Sequence, residues 1–316
     1  MSVSPDDRTD RRGNGRRRPS ATDTAALAGY RLAALAARGL PGFAAQGLAP
    51  ALGFGASFAS PERRDMISRH LRRADPTMGG VRLRRAVQEA FDSYTRYWLE
   101  SFRLPHLDGR SVEKGMRVQG YEHVTAALEQ GNGVILALPH LGGWEWAGRW
   151  IVEQGLGLTA VVEEIDPPEL FEWFADLRRD LGMNIVALGP SAGSEVLAAL
   201  RRNDVVCLLC DRDIQRTGFE VEFFGEHTTL PAGPATLSLR TGAPLLPTAV
   251  YFTDRTDGHL GIVRPPVDTT RSDDGLRADV ARVTQSLANE LEHLIRRAPH
   301  QWHLFQPNWP SDPGYV

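Results

Sequence analysis

From residue 116 onward, short apolar runs alternate with helical patterns. Five runs rich in β-branched residues come first: MRVQG, GVILALP, LTAVVEE, MNIVALG and VVCLLCD. The helical patterns between them cover Tyr121 to Gln130, Gly143 to Gln154, Pro167 to Asp180 and Ser194 to Arg202. Strands that alternate with helices of this length indicate a largely parallel sheet covered on both faces.

The rest of this region continues the pattern. Further strands are predicted at Val221 to Phe224, Leu245 to Phe252 and His259 to Val263, and a long helix at Leu276 to Arg297. We therefore predict an α/β fold with a largely parallel central sheet flanked by helices. Ligands of such sheets gather at the carboxyl ends of the strands, and two polar residues, His140 and Asp211, lie just beyond such ends.

The N-terminal part of the chain has a different pattern. Residues 1–21 hold six arginines without an apolar cluster and are predicted to form a disordered basic tail, which an anionic membrane would attract. Residues 22–60 are rich in alanine, leucine and glycine, which predicts short helices that lie on a membrane or pack against the core. Pro61 to Leu107 is predicted as an amphipathic helix. We expect a helical segment at 22–115 and a core at 116–316, within one globular unit from 22 to 316.

Composition narrows the classes of function. The net charge of -3 argues against a nucleic-acid binder, and two cysteines give no disulfide framework. The start of the chain lacks the apolar stretch of a signal peptide. The histidines show no H-x-x-x-H pair, so no metal site is expected. Lys114 is the single lysine among 36 basic residues, a bias typical of GC-rich coding in bacteria.

The stretch VILALPHLGGWEWAG carries the strongest candidate chemistry. His140 follows a predicted strand, and Glu145 comes five residues later. If Leu141 to Gly143 form a tight turn, the glutamate in the first turn of the next helix faces back to the imidazole and fixes its tautomer. Backbone amides near Gly142 and Gly143 are then candidate donors to an oxyanion.

This constellation resembles the H-x-x-x-x-D/E signature of glycerolipid and lipid A acyltransferases. Two further segments, CDRDIQRTGFEVEFFGEHTTLPAGPATLSLRTGAPLLP and QWHLFQPNW, occur in the same order as in the bacterial lauroyl/myristoyl acyltransferase superfamily. The chain resembles in particular its actinobacterial phosphatidylinositol mannoside acyltransferases. The resemblance implies a glycerolipid-acyltransferase-like fold and transfer of an acyl group, expected to be palmitoyl, from acyl-CoA to a mannose 6-hydroxyl.

The resemblance also implies roles for individual residues. His140 is the expected general base, and transfer is expected to be direct, without a covalent enzyme intermediate, bound cofactor or metal. Glu163 and Arg178 are expected to line the acceptor or CoA side of the groove. Asp211 and Glu220 remain alternatives to Glu145 as the carboxylate that partners the base.

The expected partners are acyl-CoA, a glycolipid acceptor and an anionic membrane surface, and none is a nucleic acid. Acceptor and donor meet at the cytoplasmic face of the cell membrane, so we expect peripheral attachment there. The oligomeric state stays open.

Two other functions fit parts of the sequence. GPSAG at residues 189–193 matches the G-x-S-x-G elbow of serine esterases and follows a predicted strand, which makes Ser191 a candidate nucleophile. That function leaves the spacing of His140 and Glu145 unexplained, and Ser191 also suits a helix cap or loop. A lipid-binding protein without catalysis is the other alternative. Cys207 and Cys210 fall inside an apolar strand and are predicted core residues.

Overall fold

The computed structural model describes residues 21–315, with side chains from residue 27 onward. The predicted basic tail therefore lies, except for residue 21, outside the described residues. Five helices come first in the described chain: α1 (Ala21–Arg38), α2 (Gly42–Ala59), α3 (Pro61–Ala74), α4 (Gly80–Arg103) and α5 (Gly109–Gly115). The division of the chain at residue 115 into a helical segment and a core stays a prediction.

Strands and helices alternate over the next part of the chain. These elements are β1 (Met116–Gln119), α6 (Tyr121–Glu129), β2 (Val134–Leu138), α7 (Trp144–Glu153), β3 (Leu158–Val162), α8 (Pro168–Arg179), β4 (Asn184–Ala187), α9 (Ala192–Arg201) and β5 (Val205–Leu209). The last elements are β6 (Phe219–Phe223), β7 (Glu226–Leu230), α10 (Gly233–Thr241), β8 (Leu245–Phe252), β9 (His259–Val263) and α11 (Leu276–Arg297).

Seven strands form the central sheet in the order β1-β9-β8-β2-β5-β3-β4. Every neighbouring pair in this sheet is parallel except β8 with β9. All residues of β2 and β8 are buried, as strands covered on both faces require. The prediction of an α/β fold with a largely parallel sheet flanked by helices is confirmed.

The core around the sheet consists of two layers, one on each face. On one face, apolar side chains of β2, β5 and β8 pack against α9, α10 and α11. On the other face, the same strands pack against α6 and α7. Neighbouring residues of one strand serve opposite layers, as Ile135 and Leu136 of β2 do, because side chains alternate along a strand.

Two predictions about local structure need correction. The amphipathic helix predicted from Pro61 to Leu107 is broken between α3 and α4, where Asp75 accepts a hydrogen bond from the amide of Thr77 in a tight turn. The sequence prediction also missed β7, which pairs with β6 in an antiparallel hairpin. Phe224 and Gly225 connect these strands with positive φ angles of 55° and 76°, the geometry that a two-residue hairpin turn needs.

Helix α2 turns its small residues inward and its large residues outward. Its buried positions are four residues apart and face α4: Ala45, Ala49, Gly53 and Ser57. A Cβ at Gly53 would lie 2.3 Å from the side chain and 2.9 Å from the backbone of Asp92, so the close contact with α4 needs glycine there. Large apolar side chains on the other face are exposed: Phe43, Leu48, Leu52, Phe54 and Phe58. Within residues 21–315, no helix has the length and hydropathy to cross a membrane.

Candidate active site

His140 lies just beyond the end of β2, and its imidazole is paired with the carboxylate of Asp211. The Nδ1 atom is 2.7 Å from Asp211 Oδ1, and the backbone amide of His140 donates to Oδ2 at 3.1 Å. Because a carboxylate only accepts, Nδ1 carries a proton, and in the neutral imidazole the lone pair is then on Nε2. The Asp211 side chain is fully buried, whereas 27% of the His140 side chain is exposed. The carboxylate therefore lies in the core, and the imidazole reaches solvent.

The pairing of β2 with β5 explains why these residues meet. Leu138 of β2 is aligned with Leu209 of β5. His140 follows Leu138 by two residues, and Asp211 follows Leu209 by two residues. Parallel neighbours end at the same edge of a sheet, so residues that are 71 positions apart in the chain become adjacent. The prediction that both lie at strand ends holds, and the strand order brings them together.

The surroundings of Asp211 keep it ionised. The indole Nε1 of Trp302 donates to Oδ2 at 2.7 Å, and the side-chain amide of Asn308 donates to the backbone oxygen of Asp211 at 3.0 Å. Burial alone would raise the pKa of Asp211, but His140 and Trp302 outweigh it and hold the pKa below its ordinary value. An ionised carboxylate fixes the imidazole and stabilises it when it takes up a proton.

Glu145, the predicted partner of His140, points toward other helices. Its carboxylate accepts hydrogen bonds from Nε and Nη2 of Arg178 at 2.9 and 2.5 Å and from the hydroxyl of Tyr97 at 3.0 Å. The turn and the start of α7 occur where predicted, but the second residue of that helix faces α4 and α8. The predicted orienting role of Glu145 is therefore wrong, because Asp211 holds Nδ1 and three donors hold Glu145.

The cluster of Glu145, Arg178 and Tyr97 is ionic and buried. Burial lowers the pKa of Arg178, but the adjacent carboxylate outweighs it, and the net direction is upward, so the guanidinium stays charged. Burial and the negative charge of Glu145 both raise the pKa of Tyr97 well above its ordinary value. The tyrosine therefore stays neutral, and its hydroxyl donates a hydrogen bond to the carboxylate.

The turn between β2 and α7 depends on two glycines. Gly142 has a φ of +62°, and a Cβ there would lie 2.0 Å from the carbonyl oxygen of Val250. Its amide donates to the carbonyl oxygen of Gln301 at 3.0 Å, so the prediction of this amide as an oxyanion donor is wrong. Gly143 precedes the first residue of α7, and within residues 21–315 its amide has no hydrogen-bond acceptor. It remains a candidate donor.

An apolar cavity lies between the sheet and α7. The space between its walls is about 910 Å³, a volume that includes open solvent at its mouth. Glu145 and Arg178 are the charged residues of its lining. Trp144 also lines it, and the centroid of its ring is 5.9 Å from that of His140. Apolar side chains form most of the wall, among them Leu136, Leu138, Ala147, Ile151, Cys207 and Val250.

The two other predicted binding residues, Glu163 and Glu220, lie in different parts of the structure. Glu163 forms an ion pair of 2.7 Å with Arg212, the residue after Asp211, so it lies at the edge of the site. Glu220 is on the β6–β7 hairpin, where it pairs with His227 at 3.2 Å and 75% of its side chain is exposed. The alternative of Glu220 as the partner of His140 is therefore wrong, because the hairpin directs it to solvent.

The structure gives no support to the alternative based on Ser191. This residue precedes α9, and its hydroxyl donates to Glu195 of the same helix rather than to an imidazole. The two cysteines are core residues, as predicted: Cys210 packs in one layer of the core and Cys207 against the other. Burial raises the pKa of Cys207 to about 12, so it is not a reactive thiolate. Among the described side chains, no group of three or more His, Cys, Asp or Glu is placed to hold a metal.

Comparison with known proteins shows the family of the chain. A family model described as bacterial lipid A biosynthesis acyltransferase matches residues 24–311. The chain belongs to this family. The enzyme is 42% identical over 228 residues to "Phosphatidylinositol mannoside acyltransferase" of Mycobacterium tuberculosis H37Rv, across 71% of this chain and 70% of the relative. It is 37% identical over 298 residues to a protein of the same name from Mycolicibacterium smegmatis, across 92% of each chain.

These comparisons confirm the recognition from sequence, and the protein is an acyltransferase. Three residues of the site in this acyltransferase were not predicted from the sequence: Trp302 donates to Asp211, His303 donates through its amide to the carbonyl oxygen of His140, and Tyr97 donates to Glu145. Trp302 and His303 lie in the segment QWHLFQPNW. This segment carries the family resemblance, but its pattern gives no signal of contacts with His140 or Asp211. Tyr97 was part of an amphipathic pattern, which indicates burial and carries no signal for a polar partner.

Proposed function

We propose that this acyltransferase transfers a long-chain acyl group from acyl-CoA to a mannose 6-hydroxyl of a phosphatidylinositol mannoside. One observation carries the proposal: a histidine paired with a buried carboxylate opens beside an apolar cavity. A sugar hydroxyl needs a base, and an acyl chain needs an apolar site of this kind. The names of the two relatives support the choice of acceptor.

His140 acts as the general base. Its Nε2 takes the proton of the acceptor hydroxyl while the hydroxyl oxygen attacks the thioester carbonyl, and Asp211 stabilises the imidazolium. The tetrahedral intermediate then collapses, the C–S bond breaks, and the CoA thiolate takes up the proton. An ester and a free thiol result, without an acyl-enzyme intermediate. The amide of Gly143, at the positive end of α7, is our candidate donor to the oxyanion.

The apolar cavity receives the acyl chain. Its walls come from β2, β5 and α7, so a chain bound there lies under the helix that follows His140. Palmitoyl-CoA is the expected donor. Arg178 faces this cavity, and the pair of Glu163 with Arg212 lies at the edge of the site, where polar groups of the acceptor or of CoA would bind.

The test is acceptor-dependent release of CoA from palmitoyl-CoA. The parent protein should release CoA and form acylated lipid only with phosphatidylinositol mannoside present. The His140→Ala variant should lose both products, and the Ser191→Ala variant should keep them. Acceptor-independent hydrolysis that disappears in Ser191→Ala would contradict the transferase mechanism and support the esterase. Tight lipid binding without CoA release would support the non-catalytic alternative.

We further propose that α1 and α2 attach the enzyme to the cytoplasmic leaflet of the membrane. The exposed fractions of Phe43, Phe54 and Phe58 are 71%, 65% and 83%, and α2 contains no charged residue. Exposure of these apolar side chains to water is unfavourable in free energy, and insertion at a lipid interface removes that exposure. Arg31 and Arg38 are exposed on α1 and would attract anionic lipid.

Sedimentation with liposomes tests this attachment. The double change Phe54→Ser and Phe58→Ser should lower binding to anionic and zwitterionic vesicles alike. Changing Arg31 and Arg38 to Gln should lower binding to anionic vesicles only. Val81 on α4 is 71% exposed and supplies the control, since Val81→Ser should bind as the parent does. Unchanged binding in the phenylalanine variant would contradict the proposal.

A further inference from the structure

The segment at residues 301–312, here called the C-terminal segment, closes over the catalytic pair. Trp302 forms an isolated antiparallel bridge with Leu141, the residue after His140. The amide of His303 donates to the carbonyl oxygen of His140 at 2.6 Å, and the carbonyl of Gln301 accepts from Gly142 at 3.0 Å. The backbone on both sides of the catalytic histidine is therefore held by a part of the chain that follows the last helix.

Within this segment, Trp302 contacts the partner of the base. Its indole N–H donates to Oδ2 of Asp211, while Oδ1 of the same carboxylate faces His140. Oδ2 also accepts from the backbone amide of His140, so both oxygens are occupied, and these three donors together fix the carboxylate in rotation about its Cβ–Cγ bond. Trp302 is 3% exposed and packs against Phe224 and Trp309, so the indole itself has little freedom to move.

The C-terminal segment is in turn anchored to α3. Arg73 forms an ion pair of 2.7 Å with Asp312, whose other carboxylate oxygen accepts from the amides of Asn308 and Trp309. Asn308 then donates to the backbone oxygen of Asp211. A continuous set of polar contacts, an ion pair followed by hydrogen bonds, therefore links α3 to the backbone of Asp211.

We propose that Trp302 is a positioning residue for acyl transfer: through its hydrogen bond it holds Asp211 in the orientation that keeps Nε2 of His140 aimed at the acceptor hydroxyl. This inference rests on the proposed role of His140. Trp302 itself touches no reacting atom. Its loss should lower kcat and leave KM for both substrates nearly unchanged, because the binding surfaces stay in place.

The test compares Trp302→Phe with Trp309→Phe. The two tryptophans are matched, since Trp309 is also buried and its indole donates to a backbone oxygen, that of Phe223, at 3.0 Å. Trp302→Phe should lower kcat about 10-fold, as expected for loss of a hydrogen bond to a charged group. Trp309→Phe removes only the hydrogen bond to Phe223 and keeps an aromatic ring against Trp302, so kcat should stay within about 2-fold, whatever the effect on thermal stability.

A double-mutant cycle separates positioning from general packing. In an Asp211→Asn background, Trp302→Phe should cause no further loss of kcat, because the carboxylate on which it acts has gone. An equal loss of kcat in both backgrounds would overturn the inference. So would equal losses of kcat in the two tryptophan variants.

The pH profile of kcat gives a readout that a purely structural role leaves unmoved. Trp302 is one of the groups that hold the pKa of Asp211 down, so Trp302→Phe should move loss of activity on the acid side to higher pH. An unmoved profile contradicts the inference. His140→Ala is run beside these variants: if it keeps acceptor-dependent CoA release, the proposed function fails. If it loses release while Trp302→Phe behaves as the parent, only this inference fails.

Discussion

The carboxylates of Asp211 and Glu145 are both buried near the turn after β2, yet their partners differ. Asp211 faces an imidazole whose second nitrogen is open to solvent, together with a neutral indole. Glu145 faces a permanently charged guanidinium and a tyrosine that stays neutral. The imidazole at the first site can take up and release a proton, whereas the guanidinium at the second site keeps its charge. The stretch from His140 to Glu145 therefore contains the base, but its carboxylate is not the partner of the base.

The largest expected effect comes from removing the charge of Asp211. Asp211→Asn should lower kcat by about 10³-fold, because the amide favours the wrong imidazole tautomer and cannot stabilise the imidazolium. The isosteric control is Glu145→Gln. Because the Glu145 carboxylate does not contact the base, this variant's loss of kcat should be at least about 10-fold smaller than that of Asp211→Asn. Steady-state kinetics at saturating substrate compares them, and an equal or greater loss in Glu145→Gln would reverse the roles assigned here.

The next effect concerns stability at the Glu145 site. Glu145→Ala should lower the free energy of unfolding by about 3 kcal/mol, because the charge of Arg178 is left buried without its partner. The double variant Glu145→Leu with Arg178→Met should recover most of this loss, since no buried charge remains. Urea unfolding measures both. A double variant as unstable as the single one would show that the ion pair itself, and not the orphaned charge, matters.

The apolar cavity offers a smaller and more selective effect. Cys207 lies in its wall, so Cys207→Phe should shorten the space for the acyl chain and lower the kcat/KM ratio of palmitoyl-CoA to octanoyl-CoA by about 10-fold. Cys207→Ala, which leaves the space open, is the control and should keep the parent's ratio. Equal losses for the two donors in Cys207→Phe would place the acyl chain elsewhere.

At neutral pH the smallest expected effect is that of His303, whose burial shows only as a dependence of stability on pH. Burial lowers the pKa of His303 to about 3, with a smaller contribution in the same direction from His140 in its protonated form. The unfolded chain therefore binds more protons between pH 6.5 and about 3, and stability falls as the pH falls through this window by about 1.4 kcal/mol per unit. His303→Gln should flatten this part of the curve of thermal midpoint against pH. A curve as steep as the parent's would contradict the assignment.

Most of the fold was predictable because its signals are local. The buried runs of β2, β5 and β8 are continuous and apolar, and the long α11 has a clear helical period, so each was predicted close to its observed bounds. β7 was missed because the alternation of EHTTL is mostly polar and resembles a loop. The break between α3 and α4 was missed because the apolar period continues on both sides of it.

The site was predictable only in part, for a physical reason. His140 and the glycine turn belong to one short stretch of sequence, whereas its partner comes from a neighbouring strand. Strand order decides that β5, and not β3, lies beside β2, and periodicity carries no information about that order. Trp302 is still more distant in sequence, and its role depends on a contact of 2.7 Å that no pattern encodes.

Nitrogen-15 NMR on histidine-labelled protein reports the imidazole tautomer of His140 and so tests directly whether Asp211 is the partner of the base. His140→Ala assigns the signal. We expect a proton on Nδ1 and a free Nε2 in the parent and in Glu145→Gln, and loss of that preference in Asp211→Asn. A proton on Nε2 in the parent, or a tautomer that changes in Glu145→Gln and not in Asp211→Asn, would contradict this expectation.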